Sequence, residues 1–290
     1  MERLIRYLKL VKFSHTVFAM PFALTGFFLG IERGGGEFTW TLLGLILFAM
    51  IVARNAAMGF NRWADREIDA RNPRTASREI PSSLVSPKAA LVFVIVNVAF
   101  FVIAAGLMNR LTLVLAIPAL IVLLGYSYLK RFTLLCHYGV GLALGIAPSA
   151  AYIVVTGTLS LSVILLSTIV FFWSSSFDIL YALADEDIDK EQGLRSIPQS
   201  IGRWWSLFIS AAGHAIVLPL LVALYFVGEF GFLYIIGASI FSLLLIYQHI
   251  IVKPSDISRL NAAFFTSNGF ASLIFAVFAI SDLLLIHIVY

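Results

Sequence analysis

The chain is poor in charge, in cysteine and in polar linkers. Of its 290 residues only 12% are charged and 60% are hydrophobic, whereas a soluble domain carries roughly 25% charged residues. Too little polar surface remains to cover a globular body in water. The single cysteine, Cys136, excludes an intramolecular disulfide and any Cys-based zinc site, and it leaves the redox compartment unread. No Gly-, Ser- or Pro-rich tract divides the chain, so residues 1–290 read as a single transmembrane domain.

Apolar runs near the length of a bilayer crossing recur from end to end. Their lengths predict helices at 14–31, 39–60, 89–108, 111–129, 136–156, 161–184, 204–227, 230–252 and 267–289. The expected fold is an all-α membrane protein of about nine transmembrane helices in one bundle. Arg3, Arg6, Lys9 and Lys12 ahead of the first run imitate a secretory signal, but the run is too long and lacks a convincing cleavage site.

Two connections are long and polar, 61–88 and 185–203. Four predicted helices separate them, so both lie on the same side of the membrane. Of the twenty Lys and Arg, Arg33 and Arg110 alone fall on the opposite side and Arg54 falls inside the second helix. The positive-inside rule then makes the long loops cytoplasmic. The same topology accounts for the net charge of +4, and the partner it implies is the lipid bilayer, with no nucleic acid. Trp63, Trp204 and Trp205 on the long-loop face and Trp40 on the other suit interfacial anchors.

The first long loop opens with Asn61-x-x-x-Asp65-x-x-x-Asp69, whose spacing puts three oxygen donors on one helical face. Ahead of and within the second loop stand Asp178, Asp185 and Asp189, spaced by seven and four and likewise on one face. The pairs Asp65/Asp69 and Asp185/Asp189 are both offset by 120 positions, as a duplicated unit would produce. Like carboxylates one turn apart beside hydrocarbon call for a cation between them. Mg²⁺ takes oxygen ligands, commonly one or two carboxylates completed by phosphate oxygens, which makes Asp65, Asp69, Asp185 and Asp189 a candidate set for Mg²⁺ around a diphosphate. Arg71, Arg74 and Arg78 follow the first cluster, and Lys190 and Arg195 the second. Each arginine is either a bidentate grip on phosphate or a positive-inside charge. Pro73 and Pro81 disfavour one continuous helix here, which puts Arg74 and Arg78 on a cap-like loop or a short helix over the site.

These motifs resemble the UbiA superfamily of intramembrane prenyltransferases, whose paired signatures are NxxxDxxxD and DxxxD. The segment Asp178-x-x-Tyr181-Ala182-x-x-Asp185-x-x-x-Asp189, followed by Gly193-Leu194-Arg195-Ser196, looks most like the 4-hydroxybenzoate polyprenyltransferase branch, in which lysine is common at the position of Arg195. The resemblance spans the whole chain. It implies a nine-helix bundle around a central cavity under a cytoplasmic cap, a lateral opening for an isoprenoid tail, and a multi-pass place in the cell (inner) membrane.

By the same resemblance Arg54 and Tyr181 belong with the acceptor. Asn61, Arg74, Arg78, Lys12, Lys130 and Arg195 belong with the diphosphate. The implied reaction is Mg²⁺-assisted transfer from a polyprenyl diphosphate to an aromatic acid in quinone biosynthesis, ubiquinone or menaquinone. Asp178 either orients or deprotonates the acceptor hydroxyl, or serves as a partner of Tyr181 or an arginine. Tyr126, Tyr128 and Tyr181 near the cytoplasmic helix ends either shield an allylic cation or pack between helices.

Three other readings stand beside this one. Other acceptors are a naphthoate, homogentisate, a haem or chlorophyll precursor, or a glycerol phosphate. The CDP-alcohol phosphatidyltransferases share the acidic, multi-spanning character, but no DGxxAR sequence occurs. A transporter would use intramembrane polar groups, for which Asn97, His214, Gln248, His249 and Asp282 are the candidates. Satisfied contacts between helices are the simpler expectation for those five. His15, His137 and His287 show no ligand spacing and receive no role.

Overall fold

A computed structural model describes residues 7, 10, 11 and 18–289, the last four of these by backbone alone. The long helices are α1 (Met20–Gly34), α2 (Trp40–Ala64), α4 (Pro87–Met108), α5 (Arg110–Leu129), α6 (Cys136–Thr156), α7 (Leu161–Ala182), α9 (Ile197–Val227), α10 (Phe232–Ile251) and α11 (Asn268–Val289). Two six-residue helices, α3 (Arg66–Arg71) and α8 (Glu186–Glu191), follow α2 and α7. Among the described residues eight helices are long and apolar enough to cross a membrane, and α1, described over fifteen residues, packs among them. The expected start of the first span, residues 14–17, lies outside the described residues.

Side-chain caps set the helix starts. Thr39, Ser86, Asn109, Ser160 and Ser196 each accept a hydrogen bond from the backbone N–H three residues on, satisfying donors that helix geometry leaves orphaned. The last predicted loop boundary shifts for this reason, since α9 begins at Ile197 rather than 204. Its first turn is separated from the spanning part at Gly202, whose φ of 77° suits a residue without Cβ.

Successive neighbours run α2, α4, α5, α6, α7, α9, while α1 lies against α6 and α11, and α11 against α10. One half of the bundle is solid. Phe22, Trp173, Phe241 and Phe275 fill it from α1, α7, α10 and α11, with Phe22 and Trp173 ring centroids 5.0 Å apart. The other half, between α2, α4, α5, α6 and α7, is hollow. Outward faces carry exposed Val92, Ile95, Ile103, Ile117 and Ile121, which suits lipid as solvent.

The intramembrane polar residues are spent on packing. His214 Nδ1 meets His249 Nε2 at 2.8 Å, Gln248 donates to Asn268 at 2.9 Å, and Asn97 donates to the Phe93 carbonyl. Asp282 on α11 accepts from the backbone N–H groups of Gly231, Leu233 and Tyr234 at 2.5, 2.9 and 3.2 Å, where the positive end of α10 favours an anion. His214, Gln248, His249 and Asp282 thus make contacts between helices, whereas Asn97 bonds within its own helix.

Candidate active site

The hollow half opens at the end where α2 and α7 stop. α2 breaks at Asp65 (φ −92°, ψ 6°), and α7 ends at Ala182 and passes through a 3₁₀ turn, Leu183–Asp185, to Asp185 (φ −112°, ψ 5°). Each aspartate then starts a six-residue helix, so the two motifs are built alike. The predicted face of the first motif survives the break, since the N–H groups of Asp65 and Asp69 still reach the carbonyls four residues back, and Asn61 donates to Asp65 at 3.2 Å.

The two motifs meet through the segment after α3. Asn72 donates to Asp185 Oδ1 at 3.0 Å. Arg74 grips the same carboxylate with two nitrogens, Nε at 2.9 Å from Oδ1 and Nη2 on Oδ2, and donates to the Tyr181 hydroxyl at 3.0 Å. Burial works against the Arg74 charge, but hydrogen bonding to Asp185 and the nearby Asp185 and Tyr181 outweigh it and hold the guanidinium above its ordinary value. Residues 72–82 thus form a lid of turns across the mouth.

Own-chain cations neutralise the acids. Lys130 Nζ lies 2.7 Å and Arg131 Nη2 3.3 Å from Asp65, and Arg78 Nη1 lies 2.6 Å from Asp69. Asp69 Oδ2 is buried without a hydrogen-bond partner. Among the described residues no three His, Cys, Asp or Glu stand close enough to hold an ion by themselves. The donor set is nevertheless all oxygen, with one buried carboxylate oxygen vacant, and it fits Mg²⁺ whose remaining ligands come from diphosphate and water.

Asn61, Arg54, Arg78, Lys130, Asp178, Tyr181, Asp185 and Asp189 line the cavity. Asp65 and Asp69 stand behind the lining, 2% and 4% exposed. Arg195 stays outside it and donates instead to the Phe132 carbonyl at 2.9 Å. Tyr126 lines the cavity, whereas Tyr128 packs against Phe60 and under Arg131. Lys12 lies outside the described residues. Deeper walls are apolar, with Ile46, Met50, Phe101 and Met108.

Sequence reasoning missed several residues here. Arg62, buried on α2, lines the cavity two turns from Arg54, and an eight-residue spacing was the available signal. Asn72 and His137 left no local signature. Phe264 and Phe265 enter the cavity wall from a π-helical turn, Ala262–Ser267, with Phe264 stacked on Tyr181 at 4.1 Å. Asn268 holds that turn by donating to the Ala263 and Phe264 carbonyls.

A 4-hydroxybenzoate octaprenyltransferase of Aliivibrio salmonicida is 31% identical over 84% of this chain and 86% of its own. One from Xanthomonas campestris pv. campestris is 29% identical over 97% and 93%. Among solved structures, the apo form of a UbiA homolog from Aeropyrum pernix K1 superposes with a TM-score of 0.84 at 29% identity, covering 92% of this chain and 98% of that one. A UbiA homolog from Archaeoglobus fulgidus bound to GPP and Mg²⁺ shares the fold, with a TM-score of 0.71 at 20% identity over 96% and 99%. The model of the UbiA prenyltransferase family matches residues 19–274, and by that match the chain belongs to this family of prenyl-transferring enzymes.

Proposed function

We propose that the chain transfers a polyprenyl group from a polyprenyl diphosphate to an aromatic acid, 4-hydroxybenzoate or a close relative, at the cytoplasmic face of the cell (inner) membrane. The observation that carries this reading is the Arg74 bridge, which joins the second acidic motif to the segment following the first directly over a cavity containing Arg54 and Asp178. The names of the Aliivibrio and Xanthomonas relatives support the acceptor class.

The diphosphate enters between the two motifs, where Arg74, Arg78, Lys130 and Asn61 face it. Asp65, Asp69, Asp185 and Asp189 are the residues to hold Mg²⁺, which when bound supplies positive charge to the leaving diphosphate. The allylic C–O bond breaks and its electron pair departs on the diphosphate. A ring carbon of the acceptor then forms the C–C bond, and its proton passes to the released diphosphate, restoring aromaticity. Arg54 pairs with the acceptor carboxylate, and Asp178 accepts a hydrogen bond from its hydroxyl, raising electron density in the ring. Tyr181 and Phe264 close the mouth against water.

The test uses purified protein in lipid with labelled prenyl diphosphates of several lengths and a panel of aromatic acids, with and without Mg²⁺. Metal-dependent product with a hydroxybenzoate is expected. Folded protein that forms no product with any acceptor would return the transporter reading.

A further inference from the structure

His137 stands in the first turn of α6 and reaches across to α7. Its Nδ1 lies 2.8 Å from Asp178 Oδ2, the ring buried and the carboxylate side chain 26% exposed. Behind the ring, the backbone N–H of Ile197 donates to Nε2 at 3.3 Å. A backbone N–H only donates, so Nε2 keeps its lone pair and the ring proton sits on Nδ1. Nδ1 is therefore the donor to Asp178.

Close packing fixes this pair. One turn along α6, Gly141 lies so near α7 that a Cβ there would meet Ser175 Oγ at 1.9 Å and the Phe171 carbonyl at 2.7 Å. Ser175 precedes Asp178 by one turn, so the approach of the two backbones sets the reach of His137. Ile197 in turn opens α9 after the second acidic motif. That stretch is tied to the same neighbourhood by Arg195 N–H to the Lys130 carbonyl at 2.7 Å and by Cys136 Sγ 3.5 Å from the Arg195 carbonyl.

We propose that His137 is a positioning residue for the acceptor step. Resting on the reading of Asp178 given above, it occupies one carboxylate oxygen and turns the other oxygen to the acceptor hydroxyl. It orients Asp178 much as a carboxylate's outer partner orients a metal-bound histidine.

Three variants and one control test this. Asparagine places its amide nitrogen where Nδ1 stands and keeps the bond to Asp178, glutamine reaches the Nε2 position and the Ile197 N–H instead, and leucine makes neither contact. His137→Asn is expected to keep kcat within about threefold, and His137→Gln and His137→Leu to lower it about 10–100-fold, the scale of losing an outer partner. KM for the prenyl diphosphate should stay as in the parent, while the unfolding temperature falls in the Asn and Leu variants, which leave the buried Ile197 N–H without an acceptor. A purely structural role would make kcat follow the unfolding temperature, sparing Gln over Asn. Parent-like kcat in His137→Leu, or a loss in Asn equal to that in Gln, overturns the proposal. Full transfer by Asp178→Asn sinks instead the underlying reading of Asp178.

Discussion

The two acidic motifs share a backbone plan and differ in how their charge is held. In the first, Asp65 and Asp69 are buried, and three cations from two other segments contact them. In the second, the Asp185 side chain is 20% exposed and is gripped by Arg74 from the lid. The first motif is therefore part of the packed structure, while the second is held by a contact that a diphosphate can replace. On the proposed function, an anion bound at the mouth would compete with Asp185 for Arg74 and free that carboxylate for a cation. Charge is exchanged between partners, and none is left bare in the low-dielectric interior.

That contrast can be broken most forcefully by removing one aspartate from each motif. Asp65→Ala and Asp185→Ala should each lower Mg²⁺-dependent kcat by about 10²–10³-fold or more, the scale of losing one charge-stabilising contact in a transition state. Only Asp65→Ala should also lower the thermal unfolding temperature, because it strands Lys130 and Arg131. Equal unfolding temperatures for the two variants would erase the distinction. Next in size, Arg54→Ala should raise KM for the aromatic acid by about tenfold or more, as loss of a charge-assisted pair implies, while KM for the prenyl diphosphate stays level. Asp282→Ala should cost about 1–3 kcal/mol of stability through three lost bonds to a charged acceptor, read in denaturant, with kcat unchanged in the folded fraction. Smallest, Arg195→Ala should change KM for the diphosphate less than about twofold, since its guanidinium serves a carbonyl outside the cavity. A tenfold rise would return Arg195 to the diphosphate.

Much of the fold was legible because hydrocarbon length imposes a simple rule on apolar runs, and among the described residues the long helices lie where those runs do. The acids were legible because charge beside a bilayer needs a reason. What escaped depends on contacts between segments distant in sequence. Asn72 looks like an ordinary loop amide until α7 brings Asp185 to it. His137 lacks ligand spacing because its partner lies on another helix, at a distance set by Gly141. The break at Asp65 escaped because four-residue spacing describes a straight helix and a bent one alike. Arg195 was assigned by its place after the motif, whereas its direction is decided by the turn at 130–133.

The capping of α10 by Asp282 has a bearing on biogenesis. Three backbone donors at the start of α10 wait on a carboxylate that is synthesised about fifty residues later. The same late helix supplies Asn268, which accepts from Trp173 and Gln248 and holds the turn carrying Phe264 and Phe265 into the cavity wall. The solid half of the bundle therefore closes only when α11 docks. An intermediate lacking α11 would have both acidic motifs synthesised and the turn bearing Phe264 and Phe265 still without the Asn268 that holds it.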